Sequence, residues 1–169
     1  MAATSAVLKR ASVRTFTDEP LTEEDIHALL VAAMAAPSAH NQQPWEFYVV
    51  RDRALLEKLS KVSPYAGPAG RGACAIVPCL RTGGLKSEAH AVQDISASVE
   101  NILVEAADRG LGTVWMGICP EEERMAAVAD LLDMPATLRP FAIIACGHPD
   151  GPVEPRGPER YDETRVHWA

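Results

Sequence analysis

Residues 89–117 read AHAVQDISASVENILVEAADRGLGTVWMG, a long amphipathic segment followed directly by a β-rich one. Apolar residues recur at helical spacing in the first part, which predicts the longest helix of the chain, from about Ala89 to Arg109. They are Val92, Ile95, Val99, Ile102, Leu103 and Ala106. Gly110 is expected to end this helix, and Thr113 to Met116 is predicted as a strand. A stripe this wide is typical of the central helix of a domain.

Outward from this centre, the sequence predicts three further strands and four further helices. The strands are residues 45–50, the continuous apolar run 73–80, and 141–146. The helices are residues 6–12, a helix N-capped by Thr22 that ends before Pro37, residues 53–62, and a helix with Pro120 at its first position that ends near Leu132. Residues 63–72 are predicted as a loop. The fold class is therefore α+β, a small sheet surrounded by helices, in a single domain over residues 1–169.

Composition excludes several functional classes. The net charge is −7 and the 16 Lys and Arg residues are scattered, so the basic stripe of a nucleic-acid-binding protein is missing. The longest apolar run, from Phe141 to Cys146, is far shorter than the roughly 20 residues of a membrane-spanning helix. The four cysteines are isolated from one another, which favours small buried thiols in a reducing cytoplasm over a disulfide framework or a zinc site. We therefore expect a cytoplasmic protein with no metal, membrane or nucleic-acid partner.

Two segments carry polar residues that turns and amphipathic faces do not explain. In the segment Arg10-Ala11-Ser12-Val13-Arg14, two guanidinium groups flank a hydroxyl, and arginine is the side chain best shaped to bind phosphate through paired donors. A solvated basic N-terminus is the alternative. Residues 36–45, APSAHNQQPW, lie between a helix and a strand. Amides and hydroxyls on such a proline-stiffened loop suit recognition of a planar heterocycle, and an ordinary capped turn is the alternative.

The strand after the central helix ends in a third candidate. The Gly110-Leu111-Gly112 sequence precedes the strand and lacks a third glycine before a helix, so it is not a dinucleotide-binding fingerprint. We expect it to cap the helix. Gly117, at the end of the strand, would allow a backbone N–H to approach a ligand closely.

In this order the motifs resemble those of the nitroreductase family of FMN enzymes. Arg-x-Ser-x-Arg-x-Phe begins at Arg10, Ala-Pro-Ser-x-x-Asn-x-Gln-Pro-Trp-x-Phe at Ala36, and Gly-Leu-Gly-Thr-x-Trp-Met-Gly at Gly110. A C-terminal Arg-Tyr-Asp with Val-His-Trp follows, so the resemblance extends from residue 8 to residue 168. It implies a nitroreductase-like fold with a small central mixed β-sheet surrounded by helices, in an intertwined homodimer with shared active sites.

The resemblance also implies which residues hold the cofactor. Arg10 and Ser12 would bind the phosphate and ribityl chain of FMN. Arg14 would face the pyrimidine edge of the flavin, where it stabilises negative charge on reduction. Arg160 would close over the phosphate from the C-terminal tail.

Two more groups of residues match family positions around the flavin ring. A loop that reaches the flavin of the partner subunit is matched by Pro37, Ser38, Asn41 and Gln43. The strand end whose backbone N–H groups approach flavin N5 is matched by Met116, Gly117 and Ile118. Many relatives have a second glycine in place of Ile118, but a backbone N–H survives that difference.

The expected activity is that of a homodimeric FMN enzyme that oxidises NADH or NADPH and reduces nitroaromatics, quinones or related electron-poor compounds. No side chain is expected to act as a general acid, base or nucleophile, and the histidines His40, His90 and His167 are expected to be bystanders. Other flavin chemistry is an alternative, namely dehalogenation, flavin fragmentation or enoyl-type reduction. A further alternative is an FMN-binding or interaction protein without turnover. The segment 63–90 is short and has no evident lid of the kind that dehalogenating relatives use.

Overall fold

A computed structural model describes residues 5–155 and 157–169; the predicted domain also includes residues 1–4 and Arg156, which lie outside the described residues. The α-helices are α1 (Ala6–Lys9), α2 (Glu23–Met34), α3 (Arg53–Leu59), α4 (Ala91–Asp108) and α5 (Glu122–Leu131). The strands are β1 (Trp45–Val50), β2 (Cys74–Arg81), β3 (Gly112–Gly117), β4 (Leu138–Pro140) and β5 (Ala142–Gly147). From α2 to β4, α-helices and strands alternate along the described chain, while α1 precedes α2 directly and β5 follows β4 directly.

The strands form one sheet in the order β1-β2-β5-β3, with β4 paired to β2. All pairs between these strands are antiparallel. The family resemblance implied a mixed sheet, but the parallel pairing found is an isolated bridge between Ser12 and Thr113. This arrangement leaves β1 and β3 at opposite edges of the sheet, separated by β2 and β5.

The sheet is covered by helices on both faces. Alternate residues of β2 point to opposite sides, so Cys74 and Ile76 pack in the core under α2 and α4, while Ala75 and Val77 pack in the core under α3 and α5. A strand buried on both faces is predicted to be a continuous apolar run, as residues 73–80 are. The expected α+β arrangement follows from these two cores.

The central helix α4 is close to its predicted length. Ile95, Val99 and Ile102 are fully buried, as the apolar stripe predicted, and Gly110 takes a φ of 74° just beyond the helix. Val92 is wrongly included in the stripe, because 49% of it is exposed. In its place the buried face contains polar Asp94 and Ser98.

Several predicted bounds differ from the structure. Helix α1 ends at Lys9 rather than Ser12, and α3 ends at Leu59 rather than Val62. Pro120 is not the first residue of a helix, because α5 begins at Glu122 after an N-cap at Glu121. The prediction for Thr22 is confirmed, since its hydroxyl accepts the Asp25 N–H in a complete capping box.

The N-terminal segment and the C-terminal tail lie together along β3. The Val13 N–H donates to the Thr113 carbonyl at 2.9 Å, and a Cβ on Gly112 would lie only 2.7 Å from Val13 Cγ1. The tail then pairs with the same segment, because the Asp150 N–H donates to the Thr15 carbonyl at 3.2 Å. Glycine at position 112 therefore permits the close approach that assembles this edge of the molecule. Within the described residues, no helix is both long and apolar enough to cross a membrane.

Candidate functional site

A cavity of about 950 Å³ opens between the N-terminal segment, α4, β3 and the C-terminal tail. Its walls combine arginines, carboxylates and apolar side chains. The basic residues are Arg10, Arg14 and Arg160, and the acidic residues are Glu100, Asp150 and Glu154. Ser12 also lines this cavity. The structure thus brings together four predicted site residues from the two ends of the chain.

The arginines of the cavity are held in different ways. Arg10 has a side chain only 20% exposed, and its Nε lies 3.6 Å from Glu100 Oε1. Arg14 is exposed, and its Nη1 donates to the Ser12 carbonyl at 3.3 Å. The Arg14 carbonyl in turn accepts from Arg71 Nε at 3.1 Å. Among the described residues, the Ser12 carbonyl is the one hydrogen-bond acceptor found for the Arg14 side chain in the cavity wall.

The tail brings Arg160 to the cavity by packing on α1. A Cβ on Gly157 would lie 3.0 Å from Leu8 Cδ2, so the tail backbone lies directly against that side chain. Arg160 follows in a short 3-10 turn, Pro158–Arg160. This close packing gives the polar tail a defined course over the N-terminal segment.

An apolar wall completes the cavity. Its main residue is Trp115, which was not predicted as a site residue from the sequence. Trp115 lines the cavity from β3, and its ring packs edge-on against Phe141 at 5.6 Å between centroids. Leu103 of α4 and Leu8 of α1 also contribute to this wall. Because odd-numbered residues of β3 share one face, Trp115 and Gly117 lie on the same side of the sheet.

The end of β3 offers a free backbone donor at Gly117. Residues of an antiparallel pair alternately exchange hydrogen bonds and point their backbone groups away from the partner strand. The Ile118 N–H donates to the Phe141 carbonyl of the β5 side at 3.2 Å, whereas the Thr113 carbonyl faces the opposite side and accepts from Val13. By this alternation the Gly117 N–H points to the free edge of β3. A Cβ on Gly117 would meet nothing within 4 Å, so the face of the sheet is open at this residue, although Gly117 does not itself line the cavity.

These bonds limit what the other two residues of this strand end can do. The Met116 side chain is 4% exposed and packs in the core under α3 and α5. Ile118 is fully buried and its N–H already has a partner, so the expectation of a second free donor at Ile118 is not met in this chain. Of Met116, Gly117 and Ile118, Gly117 is the residue whose backbone N–H points to the free edge of β3.

The predicted Pro37–Gln43 residues lie at the other edge of the sheet, on the loop before β1. Pro37, Asn41 and Gln43 are exposed, and none of the four predicted loop residues lines the cavity of their own chain. Ser38 Oγ accepts the Gln43 N–H at 3.0 Å. Strands β2 and β5 lie between β1 and β3, so the two edge strands are about 14 Å apart across the sheet. Within one chain, therefore, the loop and the arginines do not form one site.

Sequence reasoning missed the residues that shape this loop. Asp94 of α4 is 6% exposed, and its carboxylate accepts the Ala39 N–H at 2.9 Å and Gln42 Nε2 at 2.7 Å. Arg81 Nη2 donates to the Gln42 and Gln43 carbonyls at 2.8 Å and 2.9 Å. A polar residue on the buried face of the central helix is the signal that could have identified Asp94.

The cysteines and histidines lie outside this site. Cys74, Cys79 and Cys146 are buried and unpaired by disulfides, and burial raises the pKa of Cys79 to about 12. Neither the four cysteines nor His40, His90 or His167 line the cavity. Among the described residues, no cluster of three or more His, Cys, Asp or Glu side chains could hold a metal ion.

Known proteins of similar sequence and structure share this architecture. The sequence model of the Nitroreductase family matches residues 7–75 and 65–148. A protein of Archaeoglobus fulgidus, named as a candidate NADH dehydrogenase/NAD(P)H nitroreductase, is 39% identical over 163 residues, which are 95% of this chain and 94% of that protein.

Two solved structures extend the comparison to the fold. A candidate NADH oxidase from Clostridium acetobutylicum superposes with a TM-score of 0.92 at 38% identity, covering 96% of this chain and 98% of that one. A candidate nitroreductase from Desulfovibrio desulfuricans, solved in complex with FMN, superposes with a TM-score of 0.76 at 32% identity, covering 86% and 85%. These superpositions confirm the fold that the sequence motifs implied.

Proposed function

The chain belongs to the nitroreductase family, and from this premise we propose that it is an FMN-dependent oxidoreductase, a single domain that takes hydride from NADH or NADPH. Its electron acceptors are electron-poor small molecules such as nitroaromatics or quinones. The observation that carries this proposal is the cavity in which Arg10, Ser12, Arg14 and Arg160 meet. The relative from Desulfovibrio desulfuricans was solved with FMN, and the relative from Archaeoglobus fulgidus is named for NAD(P)H.

The chemistry of the cavity fits FMN. Arginine and serine donors suit a phosphate group, and a charge-assisted contact of this kind is the strong form of hydrogen bond. Ribityl hydroxyls can donate to carboxylates such as Glu100 and Asp150 on the same walls. The apolar face of Trp115 in the cavity wall suits a flat, mostly apolar ring, and the same face of the sheet is open at Gly117, two residues further along β3. We assign the phosphate to Arg10, Ser12 and Arg160, and the pyrimidine edge of the ring to Arg14.

When bound, FMN supplies the acceptance and donation of hydride. The residues of this chain bind the cofactor and set its electrostatic environment. Arg14 would place positive charge beside the pyrimidine edge of the bound flavin, where such a charge favours the reduced state. The Gly117 N–H, which points to the free edge of β3, would be available to donate a hydrogen bond to the bound flavin. Because the bound flavin would supply the hydride chemistry itself, we assign no side chain as general acid, base or nucleophile.

We propose that the active protein is a homodimer with sites shared between subunits. The sheet order supports this, because the loop with Pro37, Ser38, Asn41 and Gln43 is at the edge opposite to β3, lines no part of the cavity of its own chain and is free to complete a site on another chain. Exposed apolar side chains supply a surface for such an interface. They include Val31 at 54%, Met34 at 52% and Trp168 at 91% exposure.

The test is whether purified protein is yellow and whether NADH or NADPH bleaches the flavin absorbance without oxygen. Bleaching, followed by recovery of the absorbance on addition of a quinone or nitroaromatic, is the result expected. A yellow protein that neither nicotinamide bleaches would instead favour dehalogenation, flavin fragmentation, enoyl-type reduction or a carrier. A protein that stays colourless with added FMN would contradict the proposed function.

A further inference from the structure

The loop from Ser38 to Gln43 has an unusual backbone. His40, Asn41 and Gln43 adopt positive φ values of 54°, 54° and 45°, in the left-handed region that glycine favours. Gln43 is the most strained of the three, because asparagine and histidine enter this region more readily, so the surrounding structure must hold this shape. Such strain within one short loop is characteristic of functional loops, and here it aims the Asn41 and Gln43 side chains outward.

Asp94 supplies the central contact that holds the loop. Its carboxylate is 6% exposed, and a buried carboxylate is costly unless it is hydrogen-bonded. Both of its oxygens are used by the loop: Oδ1 accepts the Ala39 N–H at 2.9 Å, and Oδ2 accepts from Gln42 Nε2 at 2.7 Å. The carboxylate therefore fixes the loop through its backbone and through one side chain.

Gln42 extends the same network to the segment before α4. Its Nε2 also donates to the Ser87 carbonyl at 2.9 Å, and its Oε1 accepts the Ser87 N–H at 2.9 Å. Gln42 is thus oriented inward between two exposed residues that the site uses. Every donor and acceptor in this network has a defined direction, which makes it sensitive to replacement of a single oxygen by NH2.

We propose that Asp94 is a positioning residue, which holds the Ser38–Gln43 loop in the conformation that presents Asn41 and Gln43 to the flavin of the partner subunit. This inference rests on the proposed function. Asp94 does not touch the cofactor; it acts through Ala39 and Gln42.

The Asp94→Asn variant tests the inference with little change of shape. The substituted amide can still accept from Ala39 through its oxygen, but its NH2 then faces the NH2 of Gln42, so two donors oppose each other. The double variant D94N/Q42E restores a donor facing an acceptor between positions 94 and 42, but the oxygen that replaces Nε2 then faces the Ser87 carbonyl, so the network is restored only in part. Ser98→Ala is the matched control, because Ser98 is fully buried one turn along α4 and its hydroxyl has no partner among the described residues.

Two measurements are made on each full-length protein. Amide hydrogen exchange at Ala39 and Gln43, measured without flavin, should be about tenfold faster in D94N, which corresponds to about 1.4 kcal/mol of lost hydrogen bonding. FMN titration should show affinity about tenfold weaker in D94N, partly recovered in D94N/Q42E and unchanged in S98A.

The outcomes separate this inference from the proposed function. Wild-type-like exchange and affinity in D94N would overturn the positioning role. Weaker FMN binding without faster exchange, or faster exchange without weaker binding, would also overturn it, since either breaks the link between the loop and the flavin. Failure of the wild-type protein to bind FMN would overturn the proposed function itself, and it is seen in the wild-type titration before any variant is compared.

Discussion

Arg10 Nε lies 3.6 Å from Glu100 Oε1 in the wall of the cavity. The arginine side chain is 20% exposed and the glutamate side chain 49% exposed, so the pair is only partly shielded from water. A phosphate that binds Arg10 must share it with this carboxylate. The ion pair therefore orients the guanidinium before the cofactor arrives, at some cost in affinity.

Arg10→Ala should weaken FMN binding tenfold to a hundredfold, because a charge-assisted contact to phosphate contributes about 1.5–3 kcal/mol. A flavin fluorescence titration measures the dissociation constant. Lys9→Ala is the control, since Lys9 is the neighbouring cation and pairs with Asp108 outside the cavity wall. An unchanged dissociation constant in Arg10→Ala would reject the phosphate assignment.

Arg14 is expected to affect the redox chemistry more than the binding. Arg14→Ala should lower the flavin reduction potential, because positive charge beside the pyrimidine edge favours the reduced state. The loss of affinity for oxidised FMN should be the smaller of the two effects when both are expressed as free energies. Arg14→Lys keeps the charge and should recover much of the potential. Potentiometry with reference dyes measures the effect, and an unshifted potential in Arg14→Ala would count against this role.

The approach of the N-terminal segment to β3 predicts a contrast between two glycines. Gly112→Ala should destabilise the fold by about 1–3 kcal/mol, because the added Cβ would press on Val13 in a packed site. Gly117→Ala should change the free energy of unfolding by no more than about 0.5 kcal/mol, since its Cβ would enter open space. Urea unfolding of the flavin-free proteins compares the two. Equal free energies of unfolding for the two variants would show that the N-terminal segment moves away from the added Cβ at position 112 without loss of stability.

Acid should weaken the N-terminus of α2 through Asp25. Hydrogen bonds from the Thr22 hydroxyl and backbone, with the charge of Arg109, hold the pKa of Asp25 below its ordinary value of 3.8. A carboxyl with a lowered pKa in the folded state stabilises above its unfolded pKa, and this stabilisation is lost as the pH falls through the folded pKa. Asp25→Asn should therefore lose less stability than the wild type between about pH 4 and pH 2. Urea unfolding across this range measures the effect, and an equal loss of stability in the variant and the wild type would contradict the role of Asp25.

The elements of this fold could be predicted from the sequence where the signal is local. The helical periodicity of α4 and the apolar run of β2 depend only on neighbouring residues, and both were found within a few residues of their bounds. Strand β4 was missed because it has three residues, one of them proline, and forms only by pairing with β2. The bond from Ala39 to Asp94 spans 55 positions, so no local pattern reveals it.

The candidate site divides in the same way. The chemistry of arginine indicates that Arg10 and Arg14 suit phosphate binding. That Arg160 lines the same cavity depends on the path of the tail over α1, which the sequence does not reveal. The occupied N–H of Ile118 depends on the register of β3 against β5, which sequence spacing does not give. Tertiary pairing thus decided which of the expected donors are free.

The last prediction is that each active site contains residues of two subunits. One subunit carries Arg10→Ala. The other carries Ser38→Ala with Asn41→Gly, where glycine removes the amide and readily adopts the φ of 54° found at this position. Each variant alone should form a homodimer nearly free of flavin.

In a mixed dimer, the two kinds of lesion fall on the same site only if the sites are shared. The arginine of one subunit and the loop of the other then belong to one damaged site, while the second site keeps an intact Arg10 and an intact loop. About one FMN per dimer should therefore return, as measured by absorbance on dimers purified with two different affinity tags. If loop and arginine served a site within one chain, both sites of the mixed dimer would stay damaged and colourless. That result, or a monomer by light scattering that binds FMN at full affinity, would contradict the shared-site proposal.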